Sequence, residues 1–338
     1  MDNIKLIEKS SESEEKKSIK IGNFILNSQV SLAPMAGITD LVLRRLVRKY
    51  SKTALLTTEM ISSEALVNNK EAKIAEVFKD KESPICCQLS GHKPYIMSKA
   101  AKILEDRADI IDINMGCPVK KVFNGKDGCA LMTDFDLACD IVKSIKDVVN
   151  IPVSVKCRLG INQDQINFVE FAKKMELSGA DFITIHGRTK KQMYSGNADW
   201  GIIKLLKNEI SIPYFANGDI KTIEDAKNCL DSSEAFGVAI GRGILFDPSL
   251  IFRIEQYLNF NRIIPPLNIL EKIDILKEFL DQEMTYRGTV VGLKFMRKYY
   301  PYYINSLENA AQFRSRLVVE EDYNKIFNIL DEIKLTYG

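Results

Sequence analysis

The sequence has only two histidines, His92 and His186, and its seven cysteines form no Cys-x-x-Cys pair. A zinc site requires four suitably spaced ligands, so this scarcity predicts that the protein holds no metal. Cysteines that are odd in number and not arranged in pairs are typical of proteins from the reducing cytoplasm, which is the location we expect.

The chain also lacks any run of about 18 apolar residues, which a membrane-spanning helix would need. Its first 22 residues contain five lysines and five acidic residues and lack the apolar stretch of a signal peptide. We therefore expect no membrane partner, and we expect residues 1–21 to form a loosely ordered polar extension. The length of 338 residues exceeds the roughly 250 typical of a barrel and leaves room for a smaller extra domain.

Eight short runs rich in Val, Ile and Leu alternate with amphipathic helical segments. The predicted strands are residues 30–34, 54–59, 85–89, 110–114, 153–156, 182–186, 214–217 and 237–240. Such alternation predicts a parallel sheet with right-handed crossovers. Eight units favour a closed (β/α)₈ TIM barrel over residues 22–260, although an open sheet of eight strands would give the same pattern.

The pattern changes after Leu258. Residues 262–266 contain paired prolines, which stop helices, and read as a linker. From residue 267 onward the periodicity is helical and no strand stands out. This predicts a separate all-helical domain of about four helices over residues 267–338.

Unusual polar and glycine residues follow almost every predicted strand. In a barrel these strand ends meet on one rim, where active sites are built. The clusters are Pro34-Met35-Ala36-Gly37, Glu59-Met60, Gln88, Asn114 to Pro118, Lys156-Cys157-Arg158, His186-Gly187-Arg188, Asn217-Gly218-Asp219 and Gly241-Arg242-Gly243.

The last two clusters predict a phosphate site. Barrels often bind phosphate after strands seven and eight through backbone N–H groups, and Arg242 adds a guanidinium suited to phosphate oxygens. The alternative is that these glycines merely form tight turns. Because no G-x-G-x-x-G follows a strand, a phosphate-bearing cofactor with a flat ring, flavin mononucleotide (FMN), is the favoured ligand. Lys156 would place positive charge near the ring, and Gln88 would hydrogen-bond its amide edge.

Cys117 differs from the other cysteines because it lies between Gly116 and Pro118, just past a strand end. A thiol there can act as a nucleophile or as a general acid. A nucleophile would need a basic partner to lower its pKa. The reference pKa of about 8.5 already keeps a thiol protonated at neutral pH, as an acid requires.

The net charge of +2 means that any RNA contact must come from a local patch. Residues 284–319 contain six basic residues and one acidic residue, interleaved with seven aromatics. Basic side chains there, Arg297 and Lys298 among them, would meet phosphates and the aromatics would stack on bases. Lys120 and Lys121, beside the Cys117 loop, extend positive charge toward the rim of the barrel. The alternative is a helical bundle with buried aromatics and a solvated basic face.

Several segments together resemble the tRNA-dihydrouridine synthase family, closest to its bacterial DusB-type branch. The similarity covers residues 22–317, including LKFMRKYYPYY (293–303). The segments are APMAGITD (33–40), DINMGCPVKKV (112–122), VSVKCRLG (153–160), IHGRTKKQMYSGNADW (185–200), FANGDI (215–220) and GRG (241–243).

The resemblance implies that FMN sits on the barrel mouth and is reduced by NADPH. It further implies that uracil in tRNA receives hydride at carbon 6 and a proton from Cys117 at carbon 5, with Asn114, Lys156, Arg158 and His186 contacting the base or the flavin. The flavin contacts that it implies are Pro34, Met35, Ala36, Gln88, Lys156, Asn217, Gly218, Asp219, Gly241 and Arg242.

Three alternatives stay open at this point. An FMN barrel that reduces a free pyrimidine would explain the cofactor site but gives the basic helical region no purpose. A dihydrouridine synthase could act on ribosomal RNA instead of tRNA. A non-enzymatic RNA-binding barrel would not explain why Cys117, Lys156 and His186 all follow strands.

Overall fold

The computed structural model describes residues 18–68 and 77–338. Most of the expected polar extension, residues 1–17, lies outside the described residues. Its end was assigned wrongly, because Ile19–Ile21 is a strand, β1, that pairs antiparallel with β2, Phe24–Leu26. Ile21 and Leu26 bury their side chains against the first residues of the barrel strands, so that this hairpin closes the amino-terminal end of the barrel.

A closed parallel barrel forms the centre of the molecule. Its sheet contains β3 (Val30–Leu32), β4 (Leu55–Thr57), β5 (Ile61–Ser62), β6 (Ile85–Ser90), β7 (Ile110–Met115), β8 (Val153–Arg158), β9 (Phe182–His186), β10 (Tyr214–Asn217) and β11 (Gly237–Ile240). The ring closes because β4 pairs with both β3 and β6, while the two-residue β5 only extends one side of β6. The predicted barrel is confirmed and the open sheet is excluded.

Helices surround the barrel, and several begin at residues whose side chains cap the first turn. Asp40 and Asp134 accept hydrogen bonds from backbone N–H groups of the first turns of α1 and α6, and Thr222 forms a reciprocal capping box with Asp225 at the start of α8. The helices are α1 (Leu41–Tyr50), α2 (Ser63–Asn68), α3 (Lys79–Glu82), α4 (Pro94–Leu104), α5 (Lys120–Asn124), α6 (Phe135–Lys146), α7 (Phe168–Leu177), α8 (Ile223–Ser233) and α9 (Leu250–Phe260). A 3₁₀ turn, Gly201–Leu206, replaces the helix between β9 and β10.

The carboxyl-terminal region contains five helices where about four were expected. They are α10 (Ile269–Arg287), α11 (Thr289–Met296), α12 (Tyr300–Ile304), α13 (Ala310–Leu317) and α14 (Tyr323–Tyr337). Helix α10 packs against α1 of the barrel, and buried side chains of both regions belong to one continuous core. None of the helices in the described part of the chain combines the length and apolar character that crossing a bilayer requires.

Candidate functional site

The strand register places polar side chains inside the barrel at matching heights. Gln88 of β6 lies opposite Asp112 of β7, which lies opposite Ser154 of β8. One step closer to the carboxyl-terminal rim, Asn114 lies opposite Lys156. The interior below the rim is therefore lined by groups that can exchange hydrogen bonds across neighbouring strands.

Lys156 is the cation of this interior. Its Nζ donates to Oδ1 of Asn217 at 3.0 Å, and Nδ2 of Asn217 donates to the carbonyl of Ala239 at 2.7 Å. Burial, together with repulsion by Arg158, lowers the pKa of Lys156 to about 8. The residue is therefore charged at neutral pH, although desolvation makes its charged form less favourable than in water.

Asp219 connects residues after β9, β10 and β11, the last two of which belong to the predicted phosphate site. Arg188 forms a bidentate pair with its carboxylate, at 2.9 and 2.6 Å, and Arg242 approaches it to 3.7 Å. Although burial opposes ionisation, the hydrogen bonds from Arg188 hold the pKa of Asp219 below its usual value. Arg242 keeps 45% of its side chain exposed, so its guanidinium remains accessible to an anion.

The backbone near Gly218, Gly241 and Arg242 can be approached by a ligand. Within the described residues, no hydrogen bond from the backbone N–H of Arg242 to another group of the protein is seen. A Cβ on Gly241 would lie 3.8 Å from Sδ of Met35. The loop of Pro34, Met35 and Ala36 therefore lies beside the predicted phosphate site.

His186, at the end of β9, is buried beside Gly218. A Cβ on Gly218 would meet its Cδ2 at 2.9 Å, so only glycine allows this approach. Burial and the surrounding cations Lys156, Arg158 and Arg188 lower the pKa of His186 well below its usual value. The imidazole is thus neutral at physiological pH and can offer only a neutral hydrogen bond.

The Cys117 loop is held from both sides. Oδ1 of Asn114 accepts hydrogen bonds from the backbone N–H of Cys117 at 2.9 Å and of Gly116 at 3.2 Å. Nε of Arg158 donates to the carbonyl of Gly116 at 2.9 Å, while its Nη1 donates to the carbonyls of Thr189 and Met193. Arg158 therefore shapes the rim loops, and its Nη2 has no partner among the described residues.

The thiol of Cys117 is half-buried. Burial raises its pKa above the ordinary value, although a hydrogen bond from the N–H of Val119 and the nearby charge of Arg158 act in the opposite direction. The thiol is consequently protonated at neutral pH, which favours an acid over a nucleophile.

Gln88 is more deeply placed than expected. Its Nε2 donates to Asp112 at 2.7 Å and its Oε1 accepts from Asn114 at 2.8 Å, so both ends of the amide already have protein partners. A flavin contact by Gln88 would have to use the second hydrogen or lone pair of this buried amide.

The basic residues predicted to bind RNA divide into two groups. Lys120 and Lys121 lie exposed on α5, immediately after the Cys117 loop. Arg297 instead pairs with Glu321 at 3.1 Å, and the ammonium of Lys298 contacts the carbonyl of Gly37 beside the barrel mouth. These last two residues are engaged within the protein.

The interpretation of the seven aromatics as base-stacking platforms was wrong for most of them. Tyr299, Tyr300, Tyr303 and Phe313 are buried in the helical core. Tyr286, Phe295 and Tyr302 are partly buried against the same core. Packing accounts for these rings, as in the alternative of a bundle with a solvated basic face.

Two contributors were missed. Arg188 follows β9 in the sequence pattern, but its function as partner of Asp219 depends on a residue 31 positions away. Asp112 lies inside the apolar run of β7, and a carboxylate within such a run is itself a signal, because burying it is costly.

Sequence comparisons identify the family and the relatives that this chain resembles. The family model described as dihydrouridine synthase (Dus) matches residues 31–334. A protein of Rickettsia bellii named probable tRNA-dihydrouridine synthase is 41% identical over 307 residues, covering 90% of this chain and 94% of that protein. The tRNA-dihydrouridine synthase B of Pseudomonas syringae pv. tomato is 36% identical over 300 residues, covering 88% and 89%.

A structural comparison concerns the fold. An old yellow enzyme homologue from Zymomonas mobilis superposes with a TM-score of 0.53 at 13% sequence identity, covering 74% of this chain and 93% of the other. The resemblance predicted from the motifs is confirmed by the family model and by the length and identity of the matched relatives. The chain belongs to the dihydrouridine synthase family.

Proposed function

We propose that this protein reduces uridines of tRNA, in loop regions such as the D-loop, to 5,6-dihydrouridine, with FMN as its bound cofactor and NADPH as electron donor. The observation that carries the proposal is the juxtaposition at one rim of a protonated thiol, Cys117, a partly buried cation, Lys156, and an exposed cation beside a glycine loop, Arg242 with Gly218. Family membership and relatives named tRNA-dihydrouridine synthases support the same reaction.

The residues of the mouth fit FMN. A phosphate needs cationic and N–H donors, which the exposed guanidinium and the backbone N–H of Arg242 supply in the described part of the chain. The flat ring needs a polar floor, for which Lys156 and Asn217 are suited, and Met35 can pack against it. When bound, FMN supplies the hydride that uracil receives at carbon 6.

Cys117 supplies the proton. As hydride adds to carbon 6, negative charge develops on carbon 5 and its neighbouring carbonyl, and an acid must meet carbon 5. The thiol transfers its proton there and is left as a thiolate, which the nearby charge of Arg158 stabilises. A positioned acid of this kind contributes about 10²–10⁴-fold to the rate.

Cations stabilise the developing oxyanion. Lys156 is charged below a pH of about 8, and Nη2 of Arg158 is available at the same rim. Preorganised donors in a site that excludes water are more effective than the same groups in solution.

The uracil must leave its stack to reach the barrel mouth. Extrusion costs a few kcal/mol and is easier from a loop than from a duplex. Lys120 and Lys121, exposed beside the Cys117 loop, can hold the phosphates that flank the extruded nucleotide.

The test uses purified protein reconstituted with FMN and an unmodified tRNA transcript. We expect NADPH oxidation that depends on tRNA, with mass mapping placing dihydrouridine in a loop. Turnover with free uracil or orotate, or with ribosomal RNA but not tRNA, would contradict the proposal. Cys117→Ala should keep FMN and tRNA binding but lose about 10²-fold or more in turnover. Cys139→Ala, on the outer helix α6, is the matched control and should retain full activity.

A further inference from the structure

A continuous hydrogen-bonded chain runs from a buried carboxylate to the Cys117 loop. Oδ2 of Asp112 accepts from Nε2 of Gln88 at 2.7 Å, and Oε1 of Gln88 accepts from Nδ2 of Asn114 at 2.8 Å. Oδ1 of Asn114 then accepts the backbone N–H groups of Gly116 and Cys117. The two amides thus connect Asp112 with the loop that carries the thiol.

The direction of this chain is set at its ends. An ionised carboxylate can only accept hydrogen bonds, and a backbone N–H can only donate them. An amide side chain has nearly the same shape in either orientation, so Gln88 and Asn114 alone could point either way. Asp112 requires the NH₂ group of Gln88, which leaves its oxygen for Asn114 and the oxygen of Asn114 for Cys117.

Asp112 is an expensive residue in its position. Only 4% of it is exposed, and its two donors, Gln88 and the hydroxyl of Ser154 at 2.6 Å, are both neutral. Lys156 attracts the carboxylate through space, but no hydrogen bond joins them among the described residues. Burial raises the pKa of Asp112, and an apolar side chain would fill this strand at lower cost. The presence of Asp112 is therefore better explained by the hydrogen-bonded amides that its carboxylate orients than by packing.

We infer that Asp112 is a positioning residue for Cys117, whose carboxylate fixes the orientation of the Gln88 and Asn114 amides and so holds the thiol-bearing loop in its half-buried position. The significance of that position for turnover rests on the proposed function. The loop-holding role itself concerns only side chains of this chain and requires no cofactor or RNA.

The experiment follows alkylation of Cys117 by iodoacetamide in the full-length protein without FMN, with the modified peptide identified by mass. Asp112→Leu and Gln88→Leu each interrupt the series of hydrogen bonds between Asp112 and the Cys117 loop. Because one net hydrogen bond shifts an opening equilibrium by about tenfold, each variant should raise the alkylation rate by about that factor. The reason is that an opened loop exposes the thiol and removes the burial that raises its pKa.

Two comparisons separate positioning from general loosening. Asp112→Asn keeps the shape of the side chain but replaces the acceptor-only carboxylate by an amide that can point either way, so its alkylation rate should rise above that of the wild type without any cavity. Ser154→Ala removes the other hydrogen bond of Asp112 and leaves the amide chain intact, so it should alkylate at the wild-type rate. Because the residues act in series, Asp112→Leu combined with Gln88→Leu should react no faster than either variant alone.

Wild-type reactivity in folded Asp112→Leu, or additive effects in the double variant, would overturn the inference. If Asp112→Leu does not fold, Gln88→Leu decides, and unchanged reactivity in that variant overturns it equally. The proposed function fails separately, when Cys117→Ala retains turnover, since alkylation measures only how the loop is held.

Discussion

The ammonium of Lys156 and the side-chain oxygen of Asn217 lie 3.0 Å apart across the barrel mouth, with β9 between their strands. Burial lowers the pKa of Lys156 to about 8. Between this value and the ordinary pKa of about 10.4, the unfolded chain binds more protons at this residue than the folded one does. The contribution of Lys156 to stability therefore increases as the pH rises through this window.

Lys156→Met should reveal this dependence in the protein without FMN. We expect the free energy of unfolding of the wild type, minus that of Lys156→Met, to increase between pH 8 and 10 in urea titrations. Lys191→Met, which removes an exposed lysine of the rim, controls for the loss of a lysine and should show no comparable increase. A difference that stays constant or decreases would mean that Lys156 is not held against desolvation.

Gly218→Ala should show whether a steric clash at the proposed phosphate site, beyond backbone strain alone, weakens FMN binding. Gly218 has φ of +123°, and a Cβ there would lie 2.7 Å from Cβ of Ala198 and 2.9 Å from Cδ2 of His186. The loop or the imidazole must move, so we expect FMN affinity to decrease by about tenfold or more, as a lost charge-assisted hydrogen bond implies. Fluorescence titration of FMN measures this.

The matched control is Gly288→Ala. Gly288 has φ of +80°, but no atom lies within 4 Å of the position of its added Cβ. This variant should lose about 1–2 kcal/mol of stability from backbone strain while binding FMN normally. Equal FMN affinities in the two variants would remove Gly218 from the proposed phosphate site.

The hydrophobic pattern of neighbouring residues predicted the barrel well because each strand is formed by one short apolar segment. The runs at Phe182–His186 and Tyr214–Asn217 are continuous apolar segments bounded by polar clusters, and both strands have the predicted ends. Composition could not separate buried from exposed rings, so Tyr299 was assigned to RNA although it packs edge-on against Phe279. Contacts between distant residues, such as Arg287 with Asp40 across 247 positions, leave no local signal at all.

Lys120 and Lys121 should contribute to RNA affinity through phosphate contacts. Both are exposed on α5 beside Cys117. Replacing either by Ala should reduce the slope of log affinity against log salt by about 1. Arg297→Ala should change the slope less, since its guanidinium already pairs with Glu321. Filter binding from low to moderate salt tests this, with Lys227→Ala on the outer helix α8 as control. An equal slope for all variants would exclude α5 from the RNA contact.

Arg287 joins the helical region to the barrel through two carboxylates. Its guanidinium pairs with Asp40 at the start of α1 and with Glu283 at 2.6 Å one turn earlier on α10, and both carboxylates are almost completely buried. Burial and the neighbouring Asp40 raise the pKa of Glu283 to about 8, so that this carboxyl group is mostly protonated at pH 7. Without Arg287, the two buried carboxyl groups would lie side by side with no ion-pair partner among the described residues, and Lys298 would act on them only through space.

Arg287→Met should therefore cost about 3–5 kcal/mol of unfolding free energy, the usual effect of removing one partner of a buried pair. Arg316→Met is the control, because Arg316 and Glu332 form a pair with side chains 44% and 47% exposed, worth at most about 1 kcal/mol. Adding Glu283→Gln to Arg287→Met should change the stability little at pH 7, since a protonated Glu283 and a neutral amide can both donate to Asp40. If the two arginine variants lose equal stability in urea titrations at pH 7, the buried carboxylates do not depend on Arg287.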